Sequence, residues 1–342
     1  MFVLVTGGSG YFGSLLVRAL LAQGDSVRVF DLEDAEDRPP GVELVRGDIR
    51  DPASVAKACK GISVVYHNVA QVPLANNRHL FDSVNVQGTA NLLSSALAEG
   101  IKKVIHTSSS AIFGAPKENP VTGQTVPRPF EAYGKAKYEA ELVCGEYVEK
   151  GLDITIIRPR TILGHGRMGI FQILFEWIRT GFNVPVLGKG NSIYQFVHAG
   201  DLANACIAAA RRQGASVYNC GTDRYGTMRQ ALEALCEHAG TGSRVRSVPM
   251  MPAILGMRLA NFFGIAPLRA YHALMYGRSL YFDITKAQTE LNWQPKYSNE
   301  EMLIESYESY LANPKKLSGF SAPGYHRSPV KQGVLNVVKW CL

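Results

Sequence analysis

A glycine-spaced turn near the start of the chain limits the fold more than any other feature. The apolar run 2–5 (FVLV) is followed by Gly7, Gly10 and Gly13, spaced G-x-x-G-x-x-G, and by an apolar helical pattern over residues 14–22. A run without polar alternation is typical of a strand buried on both faces of a parallel sheet. Glycines between such a strand and a helix let backbone N–H groups approach a pyrophosphate. We therefore predict a doubly wound α/β fold that binds a dinucleotide; a glycine-rich turn without a ligand is the alternative.

An acidic residue ends the next predicted strand. Asp31 follows the run 26–30 (SVRVF), and its carboxylate could accept hydrogen bonds from both ribose hydroxyls of the dinucleotide while repelling a 2′-phosphate. NAD is therefore predicted rather than NADP, although Arg28, a cation near in sequence, weakens this preference. The alternative is that Asp31 is an ordinary loop aspartate. Asp48 and Ile49 follow a third predicted strand, where a carboxylate beside an apolar side chain suits the adenine ring.

Two later segments carry groups suited to proton and hydride chemistry. A fifth predicted strand, 103–106, runs into Thr107 and three serines, at the strand end where ligands bind in such sheets. Tyr133 and Lys137 are four residues apart in a predicted helix 133–150, so both lie on one face. A nearby ammonium should lower the pKa of the phenol towards working pH. Chance is the alternative explanation for such a pair taken alone.

In their order and spacing, these segments resemble the extended short-chain dehydrogenase/reductase superfamily and, within it, the NAD-dependent epimerase/dehydratase family. The matching segments are TGGSGYFG (6–13), Asp31, GDIRD (47–51), HNVA (67–70), TSSSAIFG (107–114) and YGKAK (133–137). The resemblance implies that Tyr133 is the general acid/base, that Lys137 binds the nicotinamide ribose and lowers the tyrosine pKa, and that Ser109 holds the reacting oxygen, with Ser108 and Ser110 as near alternatives. It implies NAD as the cofactor, held by Gly7, Gly10, Tyr11, Phe12, Gly13, Asp31, Asp48, Ile49, Val69, Ala70, Thr107, Tyr133, Lys137, Pro159 and Thr161.

The substrate must be inferred from residues outside these motifs. Nucleotide-sugar epimerases commonly carry an asparagine after the sixth strand, where this chain has Arg160 and Thr161, and often an arginine where it has Tyr194 and Gln195. The form R-P-x-x-x-x-G at 158–164, and an apolar segment at 248–266, look more like the 3β-hydroxysteroid dehydrogenase and lipid ketoreductase branch. We therefore predict an NAD-dependent oxidoreductase that interconverts a hydroxyl and a ketone on a hydrophobic, sterol- or lipid-like substrate. A nucleotide-sugar epimerase/dehydratase, which would make the protein an isomerase, is the main alternative; a cofactor-sensing protein without turnover is a third.

The predicted organisation has two lobes and a tail. Residues 1–164 with 196–221 form the Rossmann-type NAD-binding domain. Residues 165–195 with 222–312 form a smaller, mostly helical substrate-binding lobe, and residues 313–342 form a basic amphipathic tail. Asp201 is predicted to N-cap the helix that follows it.

Charge and cysteine usage bear on partners and location. The net charge is +7, but no acidic residue follows Glu308, so most of the excess lies on the tail and nucleic-acid binding is not predicted. No signal peptide is visible, and the cysteines and histidines show no metal-ligand spacing, which predicts a cytoplasmic protein with reduced thiols and no metal. The basic amphipathic tail could lie peripherally on an anionic membrane surface, or it could pack on its own domain or on a partner subunit. The apolar segment 248–266 could face a hydrophobic substrate, and a core helix pair or a homodimer contact is the alternative there.

Overall fold

The protein is described by a computed structural model covering residues 1–72, 78–166, 170–249 and 277–312. The tail 313–342 and most of the apolar segment, 250–266, lie outside these residues, so the predictions made for them are not addressed. In chain order the elements are β1 (Phe2–Thr6), α1 (Tyr11–Ala22), β2 (Ser26–Asp31), β3 (Glu43–Arg46), α2 (Pro52–Cys59), β4 (Val64–His67), α3 (Arg78–Leu80), a π-helical turn (Phe81–Gln87), α4 (Gly88–Ala98), β5 (Lys103–Thr107), a 3-10 turn (Ser110–Phe113), α5 (Ala132–Glu149), β6 (Ile154–Pro159), β7 (Thr161–Leu163), α6 (Ile170–Arg179), β8 (Val184–Leu187), β9 (Ile193–Tyr194), β10 (Phe196–His198), α7 (Ala199–Arg211), β11 (Ser216–Cys220), β12 (Gly226–Thr227), α8 (Met228–Ala239), β13 (Val245–Val248), α9 (Thr285–Leu291) and α10 (Asn299–Leu311).

A seven-stranded sheet forms the centre of the molecule, in the order β11-β6-β5-β4-β1-β2-β3. Every neighbouring pair in it runs parallel. The chain starts at β1, runs outwards to β3, then returns to β4 and continues to the opposite edge. The strand order thus reverses between β1 and β4, which is the point where doubly wound sheets bind ligands. The predicted doubly wound parallel sheet is confirmed.

Helices cover both faces of this sheet. Val3 and Val5 point into a buried cluster shared with α1, α7 and α9, whereas Leu4 points into a second cluster shared with α2, α4 and α5. β1 is therefore buried on both sides, as its unbroken apolar sequence predicted.

A third apolar cluster lies apart from the sheet and is built by α6, α8 and α10 around Phe175, Leu235 and Tyr307. α6 and α8 lie within the two stretches, 165–195 and 222–312, that were predicted to form a mostly helical lobe. The side chain of Asn299 ties α10 to the strands below, because it donates to Tyr194 O at 2.6 Å and accepts from Phe196 N at 3.0 Å.

The prediction for Asp201 was wrong. α7 is N-capped by His198, whose ring accepts from Gly200 N at 3.2 Å. Asp201 lies in the first turn, is 2% exposed, and accepts from Lys296 N at 2.8 Å. Its carboxylate thus ties down a segment remote in sequence, and this long-range use overrides its local capping preference.

In the described part of the chain, no helix combines the length and apolar character that crossing a membrane requires.

Candidate active site

A cleft of about 690 Å³ opens at the carboxyl ends of β1, β2, β4, β5 and β6. Every residue predicted to bind the cofactor or to take part in catalysis lines it: Gly7, Gly10, Tyr11, Phe12, Gly13, Asp31, Asp48, Ile49, Val69, Ala70, Thr107, Ser109, Tyr133, Lys137, Pro159 and Thr161. Segments spread from residue 7 to residue 161 thus meet at one edge of the sheet.

The glycine loop packs too closely to admit side chains. A Cβ at Gly13 would lie 2.0 Å from Gly7 O, and one at Gly7, where φ is +71°, would lie 3.0 Å from Val69 N. Gly10 N-caps α1 without a side chain, and its N–H bonds to Gly7 O at 3.1 Å. The first N–H groups of α1 therefore face the cleft without an intervening side chain, which fits a pyrophosphate.

Asp31 ends β2 beside this loop. Its carboxylate accepts from Ser9 N at 3.0 Å and from Leu32 N at 2.8 Å, and its desolvation raises its pKa. A fixed carboxylate that can only accept hydrogen bonds fits a pair of ribose hydroxyls. The loop and the carboxylate together fit the dinucleotide predicted from the sequence.

Three serines follow β5, and the structure separates them. Ser108 donates to Glu141 Oε1 at 2.5 Å, and Ser110 accepts from Arg160 Nη1 at 2.8 Å. Ser109 faces the phenol of Tyr133 instead, and its side chain lowers the pKa of that phenol. Ser109 is therefore the member of the trio placed beside the tyrosine.

α5 carries Tyr133 and Lys137 on one face, within one residue of the predicted start at 133. Glu131 N-caps this helix by accepting from Tyr133 N and Gly134 N, and Phe81 packs edge-on against the ring of Tyr133 at 6.1 Å. Lys137 is 3% exposed and donates to Thr107 O at 2.7 Å.

The expected lowering of the tyrosine pKa was wrong for the chain by itself. Desolvation raises the pKa of Tyr133 to about 12; the Ser109 hydrogen bond opposes this, and the charge of Glu131 adds to it. Desolvation also lowers the pKa of Lys137 to about 8, and its ammonium is engaged by the Thr107 carbonyl. Burial therefore outweighs the four-residue spacing on which the expectation rested.

Three side chains near these groups make contacts that the sequence did not predict. Asn68 Oδ1 accepts from Thr107 Oγ1 at 2.6 Å, which ties the ends of β4 and β5 together. Glu131 could have been recognised as an acidic residue at the start of a predicted helix. Arg160 was identified only as a residue found where epimerases commonly carry an asparagine. No local sequence signal predicts its contact with Ser110.

Tyr194 and Gln195 are both used internally. The Tyr194 hydroxyl shares a hydrogen bond with Thr161 Oγ1 at 2.9 Å. Gln195 is fully buried; it donates to Thr222 O at 2.7 Å and accepts from Phe282 N at 2.9 Å.

Comparison with protein families gives one match over much of the chain. Residues 3–221 match the model of the NAD dependent epimerase/dehydratase family. This stretch contains the glycine loop, Asp31, the serines and the Tyr133/Lys137 pair.

Three relatives illustrate the range of similar proteins. The uncharacterized protein y4nG of Sinorhizobium fredii is 52% identical, over 99% of this chain and 86% of its own length. The 3-beta-hydroxysteroid dehydrogenase of Mycolicibacterium neoaurum is 28% identical, over 90% of this chain and 91% of its own. The solved structure of the UDP-glucose 4-epimerase of Thermotoga maritima with UDP-glucose superposes with a TM-score of 0.77 at 25% identity, over 92% of this chain and 100% of that one.

Proposed function

The chain belongs to the NAD dependent epimerase/dehydratase family, within the extended short-chain dehydrogenases/reductases, and is an NAD-dependent enzyme of that family. From this premise we propose that it interconverts a hydroxyl and a ketone on a hydrophobic, sterol- or lipid-like substrate. The observation that carries the choice of substrate is Gln195. It belongs to the Tyr194-Gln195 pair, found where nucleotide-sugar epimerases often place an arginine for the diphosphate, and both ends of its amide are occupied by backbone groups.

When bound, NAD⁺ would accept a hydride from the alcohol carbon, and NADH would give one to the ketone carbon. We assign the pyrophosphate to the N-terminus of α1 and the adenosine ribose to Asp31. Asp48 and Ile49 would lie against the adenine, and Val69, Ala70, Pro159 and Thr161 would complete the site. These groups bind and orient the cofactor, and they take no part in proton transfer.

Proton transfer falls to Ser109, Tyr133 and Lys137. The Ser109 hydroxyl holds the reacting oxygen beside the phenol of Tyr133. With its pKa raised to about 12, Tyr133 is protonated at neutral pH, so it is ready to donate to a ketone oxygen. In the opposite direction it must first lose that proton, which a charged Lys137 holding the nicotinamide ribose would favour.

We also propose the division of labour between the lobes. The cofactor would be held by residues 1–164 with 196–221, and the substrate would be covered by residues 165–195 with 222–312. The cluster formed by α6, α8 and α10 then supports the substrate side of the cleft.

The second candidate is a nucleotide-sugar epimerase. It is favoured by the match to the Thermotoga maritima enzyme, which covers 92% of this chain and therefore extends into the helical lobe. Such an enzyme would use the same serine, tyrosine and lysine, and would re-reduce each oxidised intermediate.

The test incubates purified protein with NAD⁺ and, in separate reactions, hydroxysteroids or UDP-sugars, and follows absorbance at the NADH band. Steady NADH accumulation with a steroid alcohol, lost in Tyr133→Phe and retained in Tyr138→Phe on the same helix, supports the oxidoreductase. Sugar interconversion without net NADH would replace it with the epimerase.

A further inference from the structure

Arg160 is a buried cation at the edge of the cleft. It follows β6, is 2% exposed and belongs to the cleft lining. Its guanidinium lies 4.7 Å from the ring centre of Tyr194 and 5.7 Å from that of Phe282. Aromatic rings therefore hold the group in place.

The hydrogen bonds of this guanidinium are incomplete. Nη1 donates to Ser110 Oγ at 2.8 Å. Nε and Nη2 are buried, and neither meets an acceptor within the described residues; nor does any carboxylate there form an ion pair with Arg160. A buried arginine without a counter-charge is costly, and such a group is retained where an anion compensates it.

A second arginine shows what these two atoms can bind. Arg158, two residues earlier, uses Nε and Nη2 to hold Glu141, at 2.9 Å to Oε1 and 2.6 Å to Oε2. The same edge of Arg160 is the one without a protein acceptor. This edge matches the two oxygens of a carboxylate, as one planar fork against another.

The position of the fork relates it to the reacting atoms. Ser110, which accepts from Arg160, directly follows Ser109, whose side chain lowers the pKa of the Tyr133 phenol. All four residues line the same cleft.

We propose that Arg160 binds a carboxylate carried by the substrate near the reacting carbon. The substrate is then a hydroxy acid, or its keto counterpart, on a larger body. The inference rests on the proposed function for the identity of that body, because Arg160 would recognise the same group on a lipid or on a sugar.

The test measures binding by isothermal calorimetry to the NAD⁺-loaded Tyr133→Phe protein, in which turnover is blocked. Two matched pairs serve as probes: 3-hydroxydodecanoate with its methyl ester, and UDP-glucuronate with UDP-glucose. We expect the acid of one pair to bind at least about tenfold more tightly than its neutral partner, in keeping with a charge-assisted bidentate hydrogen bond.

Three further substitutions in this background locate the effect. R160Q should abolish the preference for the acid, R160K should keep part of it because the charge remains without the fork, and R179Q on the exposed side of α6 should leave it unchanged. Unchanged NAD⁺ affinity and an unfolding midpoint no lower than that of the parent show that R160Q is folded; R160K provides the same comparison if R160Q is not.

The outcomes separate the two proposals. Preference confined to UDP-glucuronate supports the role of Arg160 and overturns the hydrophobic substrate. The carboxylate site is overturned if neither acid binds, if each acid binds no more tightly than its neutral partner, or if a preference for the acid persists in R160Q. Each of these outcomes leaves the oxidoreductase assignment intact.

Discussion

The carboxylate of Glu131 accepts the backbone N–H of Tyr133 at 2.8 Å and also raises the pKa of the Tyr133 phenol through its charge. One side chain therefore both starts helix α5 and adds to the effect of burial, which is the main reason that the tyrosine stays protonated. Glu131→Gln keeps an acceptor for the helix and removes the charge, so the phenol pKa should fall, by up to about one unit.

The measurement is ultraviolet difference titration of tyrosinate, together with the pH profile of alcohol oxidation, which should shift towards lower pH. Glu139→Gln, an exposed change on the same helix, should move neither. A higher pKa in Glu131→Gln would contradict this role of Glu131.

Burial of the Lys137 ammonium should destabilise the folded state. Its pKa falls from 10.5 to about 8 on folding, so the unfolded chain holds more protons between those values and stability rises with pH across that window. The full penalty, about 3 kcal/mol, applies below pH 8. Lys137→Met should therefore raise the free energy of unfolding at pH 7 by about 1 to 3 kcal/mol. Loss of the hydrogen bond to Thr107 O offsets part of the gain. The same substitution should abolish activity.

Urea denaturation at pH 7 and at pH 10 tests this, and the gap between variant and wild type should narrow at the higher pH. Lys135→Met, at an exposed position of α5, should show no such pH dependence. A Lys137→Met protein less stable than wild type at pH 7 would refute the argument.

Asp31 should set the choice between NAD and NADP. Asp31→Asn removes the charge that would repel a 2′-phosphate and weakens the hydrogen bonds to the ribose, so the KM for NAD should rise by about 10- to 100-fold. The preference for NAD over NADP should shrink in parallel. Steady-state kinetics with both cofactors gives the ratio; Asp34→Asn, in the loop that follows, is the control, and wild-type protein that uses both cofactors equally would rule out this function of Asp31.

Gly13 should tolerate no side chain. Gly13→Ala would place a methyl group 2.0 Å from Gly7 O, so the glycine loop must shift; the unfolding free energy should fall by about 1 to 3 kcal/mol and NAD binding should be lost. Gly145→Ala in α5 meets no atom within 4 Å and should stabilise the protein by up to about 1 kcal/mol. Thermal unfolding and fluorescence titration of NADH compare the pair, and equal behaviour would contradict the packing argument.

Local patterns predicted the sheet and the cleft because their signals lie in short stretches. Each short signal specifies one strand or helix and the end of it that faces the cleft. The signals are the apolar run of β1, the glycines before α1 and the Tyr133/Lys137 pair on α5. Parallel strands then bring those edges together without further information.

Long-range effects were not readable in this way. The π-helical turn Phe81–Gln87 could not be predicted, because a shift to π-type hydrogen bonding leaves no mark in the spacing of apolar residues. Asp201 looked like a cap because its partners, Lys296 and Tyr297, lie far along the chain. The pKa of Tyr133 depends on how much protein surrounds the phenol, which the spacing to Lys137 does not contain.

Helix α10 closes the third apolar cluster, and its Asn299 is hydrogen-bonded to residues about a hundred positions earlier. During synthesis, Phe175 and its neighbours therefore stay without α10 until well over a hundred further residues have been added. The core of the helical lobe can therefore be completed only after the strands of the central sheet have all been synthesised.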